Sequence, residues 1–153
     1  MSYILTLKNR PEGVFSVVSD LTGEHVIPIF DDKDDRRHRE VAELEARFTK
    51  FYYEGHPTEK KITQIFTDSK KFDETELIGK IDLIFIDGAH TRSYVENDTN
   101  KAFRMLSPQG VIVWHDYKPD APDVFKYLNE LSKTIKLVHI KDTDLVLYRQ
   151  HSE

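Results

Sequence analysis

Two short apolar runs, each closing on an aspartate, constrain this chain more than any other feature. Ile81–Ile86 reads IDLIFI and ends in Asp87-Gly88; Gly110–Trp114 reads GVIVW and ends in His115-Asp116. A near-continuous apolar run fits a strand buried on both faces, as parallel sheets require. Between them, Thr91–Leu106 reads as a helix: Tyr94, Val95, Ala102, Met105 and Leu106 share one stripe, and Ser107-Pro108-Gln109-Gly110 closes it. Strand, helix, strand is the parallel crossover unit. The two runs are therefore expected side by side and pointing the same way, with their aspartates on one edge.

The flanks extend the pattern. Lys61–Thr67 (KITQIFT) alternates and is β-rich, and a long helix is expected before it, from about Asp35 to Tyr53. Within that helix Phe48, Phe51 and Tyr52 fall at core spacing. After Asp116, Pro122 suits the first turn of a helix running to about Lys133, with Val124, Phe125, Leu128 and Leu131 inward. Two last strands, Ile135–Ile140 and Leu145–Tyr148, are separated only by Lys141–Asp144, a spacing that allows an antiparallel hairpin and no parallel crossover. The expected fold class is α/β: a Rossmann-like, mostly parallel sheet with helices on both faces and a C-terminal antiparallel hairpin.

Residues 1–35 are atypical and allow two readings. In one, Tyr3–Leu7 and His25–Phe30 are strands around a short helix at Val14–Leu21. In the other, Val14–Ser19 is a strand paired with His25–Phe30 across a turn at Leu21–Glu24. The β-branched content and the Thr-Gly pair favour the hairpin. At 153 residues the chain is expected to be a single domain, with 36–150 forming the regular part.

Composition narrows the function classes. A net charge of −5 argues against electrostatic binding to nucleic acid or an anionic membrane. With neither a long apolar run nor a signal-peptide pattern, the expected location is cytoplasmic. The chain has no cysteine, so a metal would be held by carboxylate, imidazole or carbonyl groups.

From about Arg36 to Gln150 the chain resembles a class I S-adenosylmethionine-dependent methyltransferase of the small-molecule, metal-dependent O-methyltransferase kind. The likeness lies in Asp87-Gly88-Ala89-His90 after a strand, the Ser107–Gly110 turn, His115-Asp116-Tyr117 after the next strand, the upstream QIFTDSKKFD and the closing hairpin. The resemblance implies methyl transfer from S-adenosylmethionine to a small-molecule acceptor. One part of the pattern is missing. Such families follow their first strand with a glycine-rich loop that lets backbone approach the cofactor, whereas Leu7–Gly13 here (LKNRPEG) has one glycine and two cations.

Ligands of open α/β sheets sit beyond the carboxyl ends of the strands, so Asp68, Asp87 and Asp116 are expected at one rim. Carboxylates clustered without Lys or Arg repel one another, and a hard divalent cation such as Mg²⁺ would relieve this. The resemblance implies the same role for Asp87 and Asp116, and adds His115, a softer ligand that would shift preference toward Mn²⁺ or Fe²⁺ or act only by stacking. His90 is a candidate general base, the alternative being a helix cap. The resemblance places Asp68-Ser69 beside the cofactor's adenine and Asp31 on its ribose; the plainer alternatives are a turn and a charged helix N-terminus. Asp87 and Asp116 likewise have plainer readings, as a turn residue and a solvated acid.

Three functions compete. The first is a metal-dependent small-molecule methyltransferase. The second is a non-catalytic chain, degenerate or recombined (chimeric), that has lost the cofactor site. The third is a nucleotide- or metal-binding module on the same rim. A sheet lacking its usual first strands would also expose an edge or face, so a homo-oligomer is expected.

Overall fold

The computed structural model describes residues 2–7, 14–19, 55–57, 62–64 and 69–150. Its strands are β1 (Ser2–Leu7), β2 (Val14–Ser19), β3 (Ile62–Gln64), β4 (Ile81–Asp87), β5 (Leu106–Trp114), β6 (Val138–His139) and β7 (Val146–Arg149). Among the described residues the α-helices are α1 (Arg92–Met105) and α2 (Pro122–Leu131), with a 3-10 turn at Thr75–Leu77. The strands form one sheet in the order β3-β2-β1-β4-β5-β7-β6. β2, β3, β4, β5 and β6 run one way; β1 and β7 run against them.

β4 and β5 are parallel neighbours, with Ile84 opposite Ile112 and Ile86 opposite Trp114. These four side chains lie on one face and are buried, covered by Val95, Ala102 and Met105 of α1 and Val124 and Leu128 of α2. The expected stripe on α1 is therefore the core stripe. Asp123, in the first turn of α2, accepts the Arg92 backbone N–H at 3.1 Å and so satisfies one open donor at the start of α1. Arg92 also reaches Glu130 at 2.7 Å and lies over the Tyr127 ring. The helix expected at 35–53 falls outside the described residues. No described helix is long and apolar enough to cross a membrane.

The closing hairpin forms, with β7 inserted between β5 and β6. Its first strand is shorter than the sequence suggests. Thr134 and Ile135 donate their N–H groups to Leu131 O, so this stretch winds off the end of α2 and only Val138–His139 pairs.

The amino-terminal strands form a hairpin, and Val14–Ser19 is a strand as the favoured reading expects. Val14–Ser19 pairs antiparallel with Ser2–Leu7; residues 25–30 lie outside the described residues. β1 is also antiparallel to β4, with Tyr3 opposite Asp87 and Leu7 opposite Leu83. Leu7 and Val14 face each other, so the 8–13 connection leaves and rejoins the sheet level with Leu83. That is about 13 Å of strand from Asp87.

The Ser107–Gly110 stretch expected as a turn is the first part of β5, and Gly110 there marks a close approach to the start of β4. A Cβ there would lie 2.9 Å from the carbonyl oxygen of Ile81 and closer still to the Leu106 side chain. Backbone cannot yield as a flexible side chain does, so Gly110→Ala is expected to destabilise the fold by about 1–3 kcal/mol. Urea unfolding measures this, and an unchanged midpoint would contradict the packing described.

Candidate functional site

The carboxyl ends of β4 and β5 bring together four of the residues singled out in the sequence. Asp87 ends β4, and His90 follows it on the loop into α1. His115 and Asp116 follow β5, where the His115 N–H donates to Ile86 O at 3.0 Å and carries the strand pairing one residue further. Together with Ile86, Gly88, Ala89, Val95, Trp114 and Val124 they line one pocket. Ile86, Val95, Trp114 and Val124 of that lining belong to the apolar core.

Asp116 is the centre of the cluster. Its φ is +60°, a left-handed conformation that side-chain-bearing residues adopt at a cost, aspartate and asparagine more readily than most. The chain turns there, and the buried carboxylate gathers three cationic or potentially cationic groups. His90 Nε2 lies 2.8 Å from Oδ2, His115 Nδ1 lies 3.0 Å from Oδ2, and Lys118 Nζ lies 2.8 Å from Oδ1. Lys118 also reaches Asp144 at 3.4 Å, and His115 Nε2 lies 3.6 Å from the same residue. The premise that these carboxylates cluster without a lysine is therefore corrected: Lys118 is in the cluster.

Two ionisations are displaced as a result. Burial pushes the Asp116 carboxyl upward, but Lys118 and the two imidazoles outweigh it and hold it below the ordinary 3.8. Burial favours a neutral His115, yet Asp116, Asp87 and Asp144 outweigh that and raise it above 6.5. The depressed Asp116 contributes stability that is present above 3.8 and lost as pH falls through its folded value. The raised His115 contributes stability that is present below 6.5 and lost as pH rises through its folded value. In metal-free protein, Asp116→Asn is expected to flatten the unfolding free energy against pH at both ends. An unchanged profile in denaturant titrations across that range would contradict the coupling.

The donor set also admits a cation. His115 Nδ1 is buried, 3.3 Å from Asp87 Oδ1 and 3.0 Å from Asp116 Oδ2, yet it makes no hydrogen bond to either. A buried nitrogen with two carboxylate oxygens at that range is an arrangement a shared ion would satisfy. Asp87, His90 and Asp116 also offer ligand atoms all within 4.8 Å of one another, as do His115, Asp116 and Asp144. Two carboxylates and an imidazole suit Mn²⁺ or Fe²⁺ better than Mg²⁺, which prefers oxygen ligands alone.

Comparison with known proteins gives this rim a context. The methyltransferase domain family matches residues 11–117, more than half of the chain. The chain belongs to that methyltransferase family. The match begins at Pro11, upstream of the Arg36 at which the sequence resemblance starts. The solved structure of the O-methyltransferase NovP shares the fold with a TM-score of 0.64 at 16% identity, covering 94% of this chain and 62% of that one. The methyltransferase domain described here thus spans less than two thirds of NovP. The SAH-bound Podospora anserina methyltransferase PaMTH1 aligns at a TM-score of 0.49 and 16% identity, over 76% of this chain and 57% of its own. No curated protein matches in sequence.

Within the methyltransferase domain the remaining sequence candidates fare differently. Ser69 is fully buried. Asp31 and Asp68 lie outside the described residues, as does the Lys8–Gly13 segment. Lys118 and Asp144 were missed. Lys118 sits two residues past a recognisable motif, but Asp144 belongs to the β6–β7 turn, and only the return of β7 beside β5 brings it to the rim. Spacing along the chain carries no sign of that.

Proposed function

We propose that the chain transfers a methyl group from S-adenosylmethionine to a hydroxyl or amine of a small-molecule acceptor, with His90 as general base and a divalent cation held by Asp87, Asp116 and His115. The observation that carries this reading is the pairing of His90 with the buried Asp116 at the shared rim of β4 and β5, in a chain of the methyltransferase family.

S-adenosylmethionine supplies a methyl group on a sulfonium, which is already electrophilic, so direct displacement needs alignment and a dry pocket more than covalent catalysis. The divalent cation, when bound, acidifies and orients an acceptor hydroxyl. The protein supplies the rest. With Nε2–H turned to the Asp116 carboxylate, His90 Nδ1 is the basic nitrogen and takes the acceptor's proton as the acceptor attacks. Asp116 fixes the tautomer and offsets the charge of the imidazolium that results. Ile86, Val95, Trp114 and Val124 give the pocket an apolar wall that excludes water. Asp68, Ser69 and Asp31 are the proposed contacts to the cofactor's adenosine.

One observation favours a second reading, a family member without the cofactor site. β1 ends at Leu7 and β2 begins at Val14, both level with Leu83 and so toward the opposite end of β4 from Asp87. Calorimetric titration with S-adenosylmethionine, with and without Mg²⁺, separates the two. The methyltransferase reading expects saturable binding and methyl transfer to at least one acceptor in a panel of small hydroxyl and amine compounds. Silence at millimolar cofactor would leave the second reading.

A further inference from the structure

The loop after β5 is tied to the β6–β7 turn by two contacts that the proposed chemistry does not use. Tyr117 N–H donates to the Asp144 carbonyl at 2.9 Å, and the Lys118 ammonium bridges Asp116 Oδ1 at 2.8 Å and Asp144 Oδ2 at 3.4 Å. Asp116 therefore divides its two oxygens. Oδ1 faces Lys118, and Oδ2 faces His90 and His115.

We infer that Lys118, anchored by Asp144, is a positioning residue that fixes which oxygen of Asp116 is turned toward His90. The carboxylate torsion of aspartate is broad and roughly two-fold, so a buried carboxylate keeps one orientation only if its surroundings hold it. Asp116 is held from one side by its left-handed backbone and from the other by Lys118. The lysine reaches in from the surface, with its side chain 38% exposed, to a carboxylate that is 8% exposed. The closing hairpin thus belongs to the site as well as to the sheet. Loss of the bridge frees Oδ1 to rotate, and His90 loses a fixed acceptor.

This inference rests on the reading of Asp116 as the partner of His90, and its test reads that pairing without requiring turnover. The side-chain N–H proton of His90 is followed by NMR in full-length protein, and Mn²⁺ binding is followed by calorimetry, in the wild type, Lys118→Met, Lys118→Arg and Asp144→Asn. In the wild type the N–H signal is expected downfield, as for an imidazole bonded to a carboxylate. Lys118→Met is expected to lose it and to weaken Mn²⁺ binding by roughly 10- to 100-fold, the usual effect of removing an outer partner of a ligand. Lys118→Arg is expected to restore both in large part, and Asp144→Asn to shift both less and in the same direction. A Lys118→Met protein with an unchanged amide spectrum elsewhere that keeps the signal, or binds Mn²⁺ more tightly, overturns the inference. Should Lys118→Met fail to fold, Asp144→Asn decides, and an unaltered signal there counts against the bridge. If the wild type binds no Mn²⁺, the metal reading fails, and the His90 signal alone judges Lys118.

Discussion

His90→Ala is expected to lower the rate of the proposed methyl transfer by roughly 10²- to 10⁴-fold, the usual worth of a positioned general base, and to leave affinity for S-adenosylmethionine little changed. The expectation follows from where His90 sits. Its side chain is 44% exposed at the mouth of the pocket, so truncation opens no cavity in the core, and its ring is oriented by Asp116 at 2.8 Å. Steady-state kinetics set beside calorimetric titration separate the two effects. A rate within a few-fold of wild type would remove His90 from the chemistry. A loss of cofactor affinity matching the loss of rate would make it a binding residue.

Trp114→Ala unfolds the domain most readily of the single changes considered, costing about 3–5 kcal/mol. Trp114 is 1% exposed at the end of β5, beside Ile86 of β4 and with Phe103 tilted against it at 6.3 Å. Its indole N–H donates to Thr99 Oγ1 at 2.9 Å, so one polar atom is satisfied inside an apolar layer. Removing the ring leaves a cavity and takes one hydrogen-bond partner from the threonine hydroxyl. Thr99→Val, which removes only the acceptor, costs less, about 1–3 kcal/mol. Urea titrations of the two variants test both size and order; a smaller loss for the tryptophan variant would contradict the packing.

The half of the fold that carries the site was readable from residues 81–131, for a specific reason. IDLIFI and GVIVW are apolar almost throughout, which only a strand covered on both faces tolerates, and the helix stripe between them fixes the crossover. Parallel pairing then places Asp87 and Asp116 on one rim without further information. What the sequence could not convey was pairing between distant segments. Val14–Ser19 has the composition of a strand, but nothing in it selects Ser2–Leu7 over residues 25–30 as neighbour. Nor does the LKNRPEG stretch reveal that the strand before it runs against β4. The site shows the same division. Asp87, His90, His115 and Asp116 stand at strand ends and were accessible to motif reasoning. Lys118 and Asp144 meet only because β7 folds back between β5 and β6. Lys118 offsets part of the negative charge there, and the buried His115 Nδ1 is the feature a cation would satisfy.

The shared direction of β1 and β7, against the rest of the sheet, has a practical consequence for handling this protein. Tyr3 is level with Asp87, whereas Arg149 pairs with Val111 and the Gln150 N–H donates to Gly110 O at the other end of the sheet. A fluorophore or affinity handle joined ahead of Ser2 would therefore start on the strand beside Asp87, one of the residues that line the pocket, and is expected to report occupancy by quenching. The same group attached after Gln150 would start at the far pole, about 10 Å or more of strand away, and leave the mouth clear. Comparing the two fusions gives a ligand-proximity assay from labelling position alone.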